Sequence, residues 1–470
     1  MESSRNVTEP CLFLRWTPPF LQLSMIRPAA IISFYVATIL LAGAGVANAG
    51  SETEDLDKPA LPMAGSLTDA RKALEAKGLS TSVQYTNDVL ANVRGGSKRG
   101  VVDQGKLETA LTLDLEKAAG LKGLTFFSNL FAIHNTGRIR QDYVGGINTI
   151  AAIEAVPTVR LSELWLEQQF PQWKSSVRFG QLAADVEFFF SGLSAMFLQS
   201  DWATIAALNM PSGGPAYPLS TPGVRLKFDP TSSVSLLVAL YNGDPAGPGE
   251  SDPQLRNRYG LNFRLRDPPL AIAEAQVRNN TGKQDAGLAS TLKVGAWAHF
   301  GSFLDQRFAD DGTSLADPAG SGNSSRHRGN GGLYGVFEQQ LFRPFGADAE
   351  GGISVFTRMS ISPSDRNPID FFIDGGIVFA GLWSLRPNDK FGVSAMYSRF
   401  SDGIRGFDRD AIAFGGGSFV RDFEANLEVS YQAQVVPGLV VQPTAQWIWH
   451  PSGGQGQDAA VFGVRSLWQF

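Results

Sequence analysis

From about residue 80 to its last position the chain alternates apolar and polar side chains, and after residue 49 no apolar run reaches the length of a membrane helix. In "FEANLEVSYQAQ", Phe423, Ala425, Leu427, Val429 and Tyr431 fall on one face, while Glu424, Asn426, Glu428, Ser430 and Gln432 fall on the other. "LVVQPTAQWIW" sets Leu439, Val441, Ala445, Trp447 and Trp449 against Gln442, Thr444 and Gln446. "KLETALTLDLE" sets Leu107, Leu111, Leu113 and Leu115 against Lys106, Glu108, Thr112 and Asp114. Such a split requires water on one face and something apolar on the other. Two architectures meet it: a soluble sheet packed on a core, or a barrel whose outside meets lipid.

The aromatic residues favour the barrel. Apolar faces end in Trp, Tyr or Phe, and the chain closes on "AVFGVRSLWQF", with Phe470, Trp468 and Phe462 on one parity. Rings at strand ends fit the interfacial girdles of an outer-membrane barrel, whereas a sandwich has no need of them there. Phe470 is then a girdle residue on the last strand, and also the kind of terminal aromatic that barrel-assembly machinery reads.

The N-terminal segment supplies an address. From Met25 the chain runs through Arg27 and a long apolar stretch to Ala47-Asn48-Ala49, the layout of a secretory signal over residues 1–49, with Met25 a candidate true start. A transmembrane anchor is the alternative reading. Cys11, the one cysteine, falls inside this signal, so the exported chain has neither disulfides nor a thiol nucleophile. Residues 50–79 read as a periplasmic lead-in with a short helix in "SLTDARKALEAKG", capped by Ser66 and ended by Gly78. The formal net charge of -5, with no basic cluster among aromatics, argues against nucleic acid.

Seventeen candidate strands can be marked between residues 82 and 470. Bacterial single-chain barrels have an even number, with short periplasmic turns and long outer loops. The links "KAAGLKG", "PQWK" and "DPTS" near the start, and "RPFGADAEG", "SLRPNDK" and "VVPG" near the end, alternate with longer ones such as 304–330 and 400–422. The two phases agree if 259–266 and 270–278 form one strand interrupted by Asp267-Pro268-Pro269. The expected fold is therefore an all-β transmembrane antiparallel barrel of about sixteen strands over residues 80–470.

Several stretches, in order, carry a family resemblance: "GLSTSVQYTNDVLANVRGG", "SELWLEQQF" followed by "VRFGQLAADVEFF", "LLVALYNGDP", "GLWSLRPNDKFGVSAMYSRF" and "EANLEVSYQAQVVPGLVVQPTAQWIWHP". Together they resemble the carbohydrate-selective porins of the OprB type. The resemblance implies a sixteen-stranded outer-membrane barrel and passive uptake of sugars, monosaccharides such as glucose. A non-selective pore for small hydrophilic solutes and an outer-membrane barrel enzyme are the alternatives. No cofactor is expected, and the partners expected are sugars, outer-membrane lipid and the assembly machinery, with monomer and trimer both open.

On the water-facing parity stand Glu163, Trp165, Glu167, Arg178, Arg225, Lys227, Arg264, Arg266, Glu274, Lys293, Trp297 and His299. An indole beside carboxylates and Arg can stack on a sugar's C–H face while its neighbours bind hydroxyls, so Trp165, between Glu163 and Glu167 and facing Arg178, is the leading candidate. A one-residue bulge would instead turn these rings to lipid. The long apolar stretch 187–220 is expected to fold inward, as the corresponding loop does in sixteen-stranded porins, making Asp201, Trp202 and Tyr217 constriction candidates. An outer cap over the mouth is the other reading of that loop. His134, His299, His327 and His450 lack metal-ligand spacing, and no nucleophile elbow or phosphate loop is present.

Overall fold

The computed structural model describes residues 65–200, 202, 208–282, 285–344 and 351–470. The expected signal with Cys11, and the constriction candidate Asp201, lie outside the described residues. A helix α1 (Gly65–Ala76) leads into the first strand. It begins one residue ahead of the expected cap Ser66, while Gly78, at φ 88°, turns the chain into the barrel.

Sixteen antiparallel strands follow: β1 (Leu79–Arg94), β2 (Gly100–Asp114), β3 (Leu124–Asn135), β4 (Thr158–Phe170), β5 (Ser175–Leu182), β6 (Thr221–Phe228), β7 (Val234–Asn242) and β8 (Pro269–Asn279). The second half is β9 (Ser290–Ala309), β10 (Ser324–Phe342), β11 (Gly352–Ile361), β12 (Ile369–Ala380), β13 (Lys390–Phe400), β14 (Phe423–Val436), β15 (Leu439–Trp449) and β16 (Ala459–Gln469). Each pairs with its sequence neighbours, and β1 pairs with β16 to close the barrel. Closure leaves no free sheet edge, which a sheet in lipid requires because nothing there can satisfy an unpaired N–H or C=O. Among the described residues no helix is long and apolar enough to cross a membrane.

The alternation maps onto the two faces of the wall. In β7 the outer row Leu236, Val238 and Leu240 is exposed, and the inner row Ser235, Leu237, Ala239 and Tyr241 is buried. Trp447 and Trp449 share the outer parity of β15, and Phe462 and Val464 stand exposed on β16. A continuous exposed apolar belt of this kind is stable against lipid rather than water. The last residue is tied in by its amide, which donates to the Val83 carbonyl at 2.9 Å.

Strand direction places both ends of the barrel and the short turns at one rim. The other rim carries the 136–157, 183–220 and 243–268 loops and the 401–422 loop with helix α2 (Asp402–Ala413). Long loops identify this second rim as extracellular.

The strand count is as expected, but one assignment behind it is not. Residues 259–266 are not half of an interrupted strand; they belong to the 243–268 loop, and β8 begins at Pro269. Because β5 stops at Leu182, the upper part of β4 lacks a strand partner on that side. The loop fills the gap: Leu161 N donates to the Tyr259 carbonyl at 3.0 Å, and Gln181 Nε2 donates to the Gly260 carbonyl at 2.9 Å. A Cβ at residue 260 would lie 1.8 Å from the Leu161 carbonyl, and φ there is +69°, so glycine is required. The expected 304–330 loop is likewise shorter, since β9 and β10 extend to Ala309 and back from Ser324.

Candidate functional site

Loop 183–220 is threaded into the barrel rather than laid over its mouth. Inward carboxylates from the wall accept its backbone amides in succession. Glu163 takes Ala183 N at 3.1 Å, and Glu274 takes Phe189 N at 2.8 Å. Glu338 takes Ser191 Oγ at 2.6 Å and Leu193 N at 3.1 Å. Glu428 takes Leu198 N at 2.9 Å and Gln199 N at 3.0 Å. These four acids stand on β4, β8, β10 and β14, so the loop crosses the lumen. Loop 136–157 is anchored in the same way, with Ile147 N and Asn148 N donating to Glu424 at 2.8 and 2.7 Å. Tyr217 joins the two loops: its hydroxyl donates to the Ile153 carbonyl at 2.9 Å, and burial raises its pKa.

Beside the loop the lumen holds an open cavity of about 1100 Å³. One wall presents Phe127, Glu163, Trp165, Glu167, Arg178, Glu187, Arg225 and Lys227; the other presents Gln276, Lys293, Glu338 and Gln340. The centre of the first wall is a charge quartet. Arg178 faces Glu167 across the β4–β5 pair and Arg225 across the β5–β6 pair. Two cations directly opposite would repel, but two carboxylates bridge them. Arg178 donates to Glu167 Oε2 through Nε at 2.9 Å and Nη2 at 2.7 Å. Arg225 donates to Glu187 Oε1 and Oε2 at 2.7 and 2.9 Å, and Arg225 Nη2 lies 3.3 Å from Glu167 Oε1. Arg178 Nη1 closes the set, 3.5 Å from Glu187 Oε1. Two positive and two negative groups within bonding reach give no net charge but many donors and acceptors.

The candidates from sequence divide accordingly. Glu163, Trp165, Glu167, Arg178, Arg225 and Lys227 are together at this wall, with Lys293 opposite, donating to the Phe190 carbonyl at 2.7 Å. Trp165 differs from expectation in its role. Phe127, from β3, stacks on it at 4.8 Å and 21°, and the Arg178 guanidinium, from β5 on the other side, sits 3.9 Å from its ring centroid. Neighbours from both flanking strands cover the two faces of the indole, so a sugar would meet its edge. Trp202 and Trp297 do not line the opening; both are buried in an apolar cluster with Phe188, Phe189, Met210 and Tyr241.

Arg264 is not on a strand at all. It lies in loop 243–268 and donates to Asp267 at 2.7 and 2.5 Å. Arg266 is exposed in the same loop, Glu274 holds Phe189 N and the Tyr334 hydroxyl, and His299 is buried against the Gly243 carbonyl. Glu187 and Phe127 are the site residues that the sequence did not single out. Glu187 lies outside any alternating strand, in "VEFFF", and Phe127 reads as one more apolar strand residue.

A closed sixteen-stranded barrel with a lipid-facing apolar belt, an inward loop and a polar central opening is a porin of the outer membrane. Residues 98–470 match the model of the carbohydrate-selective porin, OprB family, and the chain belongs to that family. It is 26% identical to Porin B of Pseudomonas aeruginosa over 468 residues, 93% of this chain and 97% of that one. The fold is similar to the high-pH structure of Pseudomonas putida OprB, with TM-score 0.77 and 20% identity over 87% of this chain and 98% of that one. The low-pH structure of the same protein matches with TM-score 0.53 and 17% identity over the same shares. The chain is thus a carbohydrate-selective outer-membrane porin, a channel through which solutes move down their gradients.

Proposed function

We propose that the selected solutes are small uncharged sugars, monosaccharides such as glucose, and that the quartet Glu167, Arg178, Glu187 and Arg225 carries the selection. The supporting observation is the mutual pairing of those four charges on the wall of the opening. Each ion finds as much repulsion as attraction at these four groups, so the quartet gives little net pull on charged solutes. A ring of hydroxyls, in contrast, can both donate to the carboxylates and accept from the guanidiniums. Binding of this kind stays weak, which conduction requires. Residues 1–49 act as the export signal, Phe470 is read by the barrel-assembly machinery, and the barrel works as a monomer or trimer in outer-membrane lipid.

Reconstituted in liposomes, the protein should admit glucose faster than a zwitterionic amino acid of similar size. Equal swelling rates for the two would make it a general pore instead.

A further inference from the structure

The extracellular tip of the first hairpin carries charge that the channel does not use. Residues 94–100 read "RGGSKRG", and Arg94, Lys98 and Arg99 are all exposed. Among the described residues no carboxylate pairs with any of them. The adjacent loop handles its cations differently: Arg138 reaches Asp252 at 2.9 Å, and Arg140 lies 3.8 Å from Glu154.

Local geometry turns the first of these cations, Arg94, toward the outside of the barrel. The register of β1 on β16 shifts between Asn92 and Arg94, a bulge that inserts Val93. Without it Arg94 would share the inward face of Asn92. With it Arg94 aligns with Ala460, which in turn aligns with Trp447 on β15, and its guanidinium lies over the outward Trp447 ring at 5.0 Å. Lys98 stands at the tip itself, its Nζ 4.2 Å from the ring centroid of Tyr143 in loop 136–157.

Directly beneath the bulge the wall is bare and apolar. Ala91 is flanked in register by Phe462 on one side and Val101 on the other. Val93, Val101 and Phe462 are 48%, 61% and 51% exposed. Cations at the outer rim above an open apolar strip match one amphipathic shape: a phosphorylated head above acyl chains.

We propose that the Arg94–Lys98–Arg99 rim, with the Val93, Val101 and Phe462 strip below it, is a docking site for a phosphorylated lipid of the outer leaflet. Charge complementarity argues for the head, since three unpaired cations meet a leaflet surface that carries phosphate. The apolar strip argues for lipid over dissolved phosphate, because a free anion has no use for it. Arg94 also positions Trp447 at the head-group level, where an indole is at home.

Binding of labelled diphosphoryl lipid A to the purified barrel in a neutral detergent tests this. Each basic residue near an anionic surface contributes comparably, so R94Q/K98Q/R99Q should lower the affinity on the order of 100-fold, and K98Q/R99Q roughly 20-fold. Both variants change exposed side chains and should keep the heat-modifiable gel mobility of a closed barrel, which checks that they fold. Phosphatidylcholine should bind no better than to the triple variant, and millimolar inorganic phosphate should not displace lipid A. Equal lipid A affinity in wild type and both variants would overturn the site. Full displacement by inorganic phosphate would overturn the lipid as its occupant, and equally tight binding of net-neutral phosphatidylcholine to wild type would overturn recognition of an anionic phosphorylated head by the three cations.

Discussion

At the scale of single residues, the decisive groups are the ones that hold other side chains in place. Trp165 supports Arg178 from below while Phe127 supports Trp165, so the stack fixes where a guanidinium sits at the opening. Glu187 bonds Arg225 through both oxygens and stands near Arg178 as well. Glu187→Gln is therefore expected to weaken glucose block of the ion current more than Trp165→Ala does, with the loss for Glu187→Gln at about 1.5–3 kcal/mol. Titrating glucose against single-channel current checks the order, and the reverse order would mean that the indole itself meets the sugar. In loop 243–268, hydrogen bonds from Arg264 hold the Asp267 carboxyl below the usual carboxylate range. A depressed folded pKa contributes stability above the ordinary Asp value of about 3.9 and loses it as pH falls through the lower folded value. The Asp267 amide, which donates to Asn242 Oδ1 at 3.0 Å, should stay protected from hydrogen exchange at the ordinary Asp pKa and lose protection only at lower pH, after correction for intrinsic rates. Asp267→Asn should abolish that step.

At the scale of elements, the strands were legible in the sequence because a period of two is a local property. Glu424 and Glu428 already stood on the water-facing row of "FEANLEVSYQAQ". What they bind was not legible, since Glu428 meets Leu198 and Glu424 meets Ile147 far away along the chain. Alternation reports which face a side chain takes and carries no information on which loop reaches it. The same limit explains 259–266, whose apolar pattern resembles a strand although it is a loop laid against the unpaired upper part of β4. It also explains Glu187, which has no periodic neighbours to place it. The loop anchors give a direct prediction. Glu428→Ala leaves the Leu198 and Gln199 amides without their acceptor, at a cost of about 1–3 kcal/mol for each. Loop 183–220 should then move from the lumen part of the time, raising open-channel conductance and its noise and narrowing the preference for glucose. Unchanged conductance and unchanged selectivity would show that Glu428 does not position the loop.

At the scale of the whole molecule, an apolar exterior, a closed sheet and a mutually paired charge quartet at the opening act together. The exterior sets the location, and closure makes the wall rigid enough to hold Glu167, Arg178 and Arg225 in register, with Glu187 brought to them by loop 183–220. A balanced quartet favours solutes that carry hydroxyls over solutes that carry charge. The barrel should resist SDS at room temperature and shift its gel mobility only on boiling, as a sheet without edges does. A single mobility at both temperatures would count against a closed barrel. Selectivity itself is read most directly from ion current through one channel in a planar bilayer while glucose is added, against a viscosity-matched polymer too large to enter. The quartet predicts a saturable fall in current with half-effect on the order of millimolar, weak enough for release, and a far smaller fall in Glu187→Gln. A current that follows viscosity alone, equally in wild type and variant, would contradict selection at this wall.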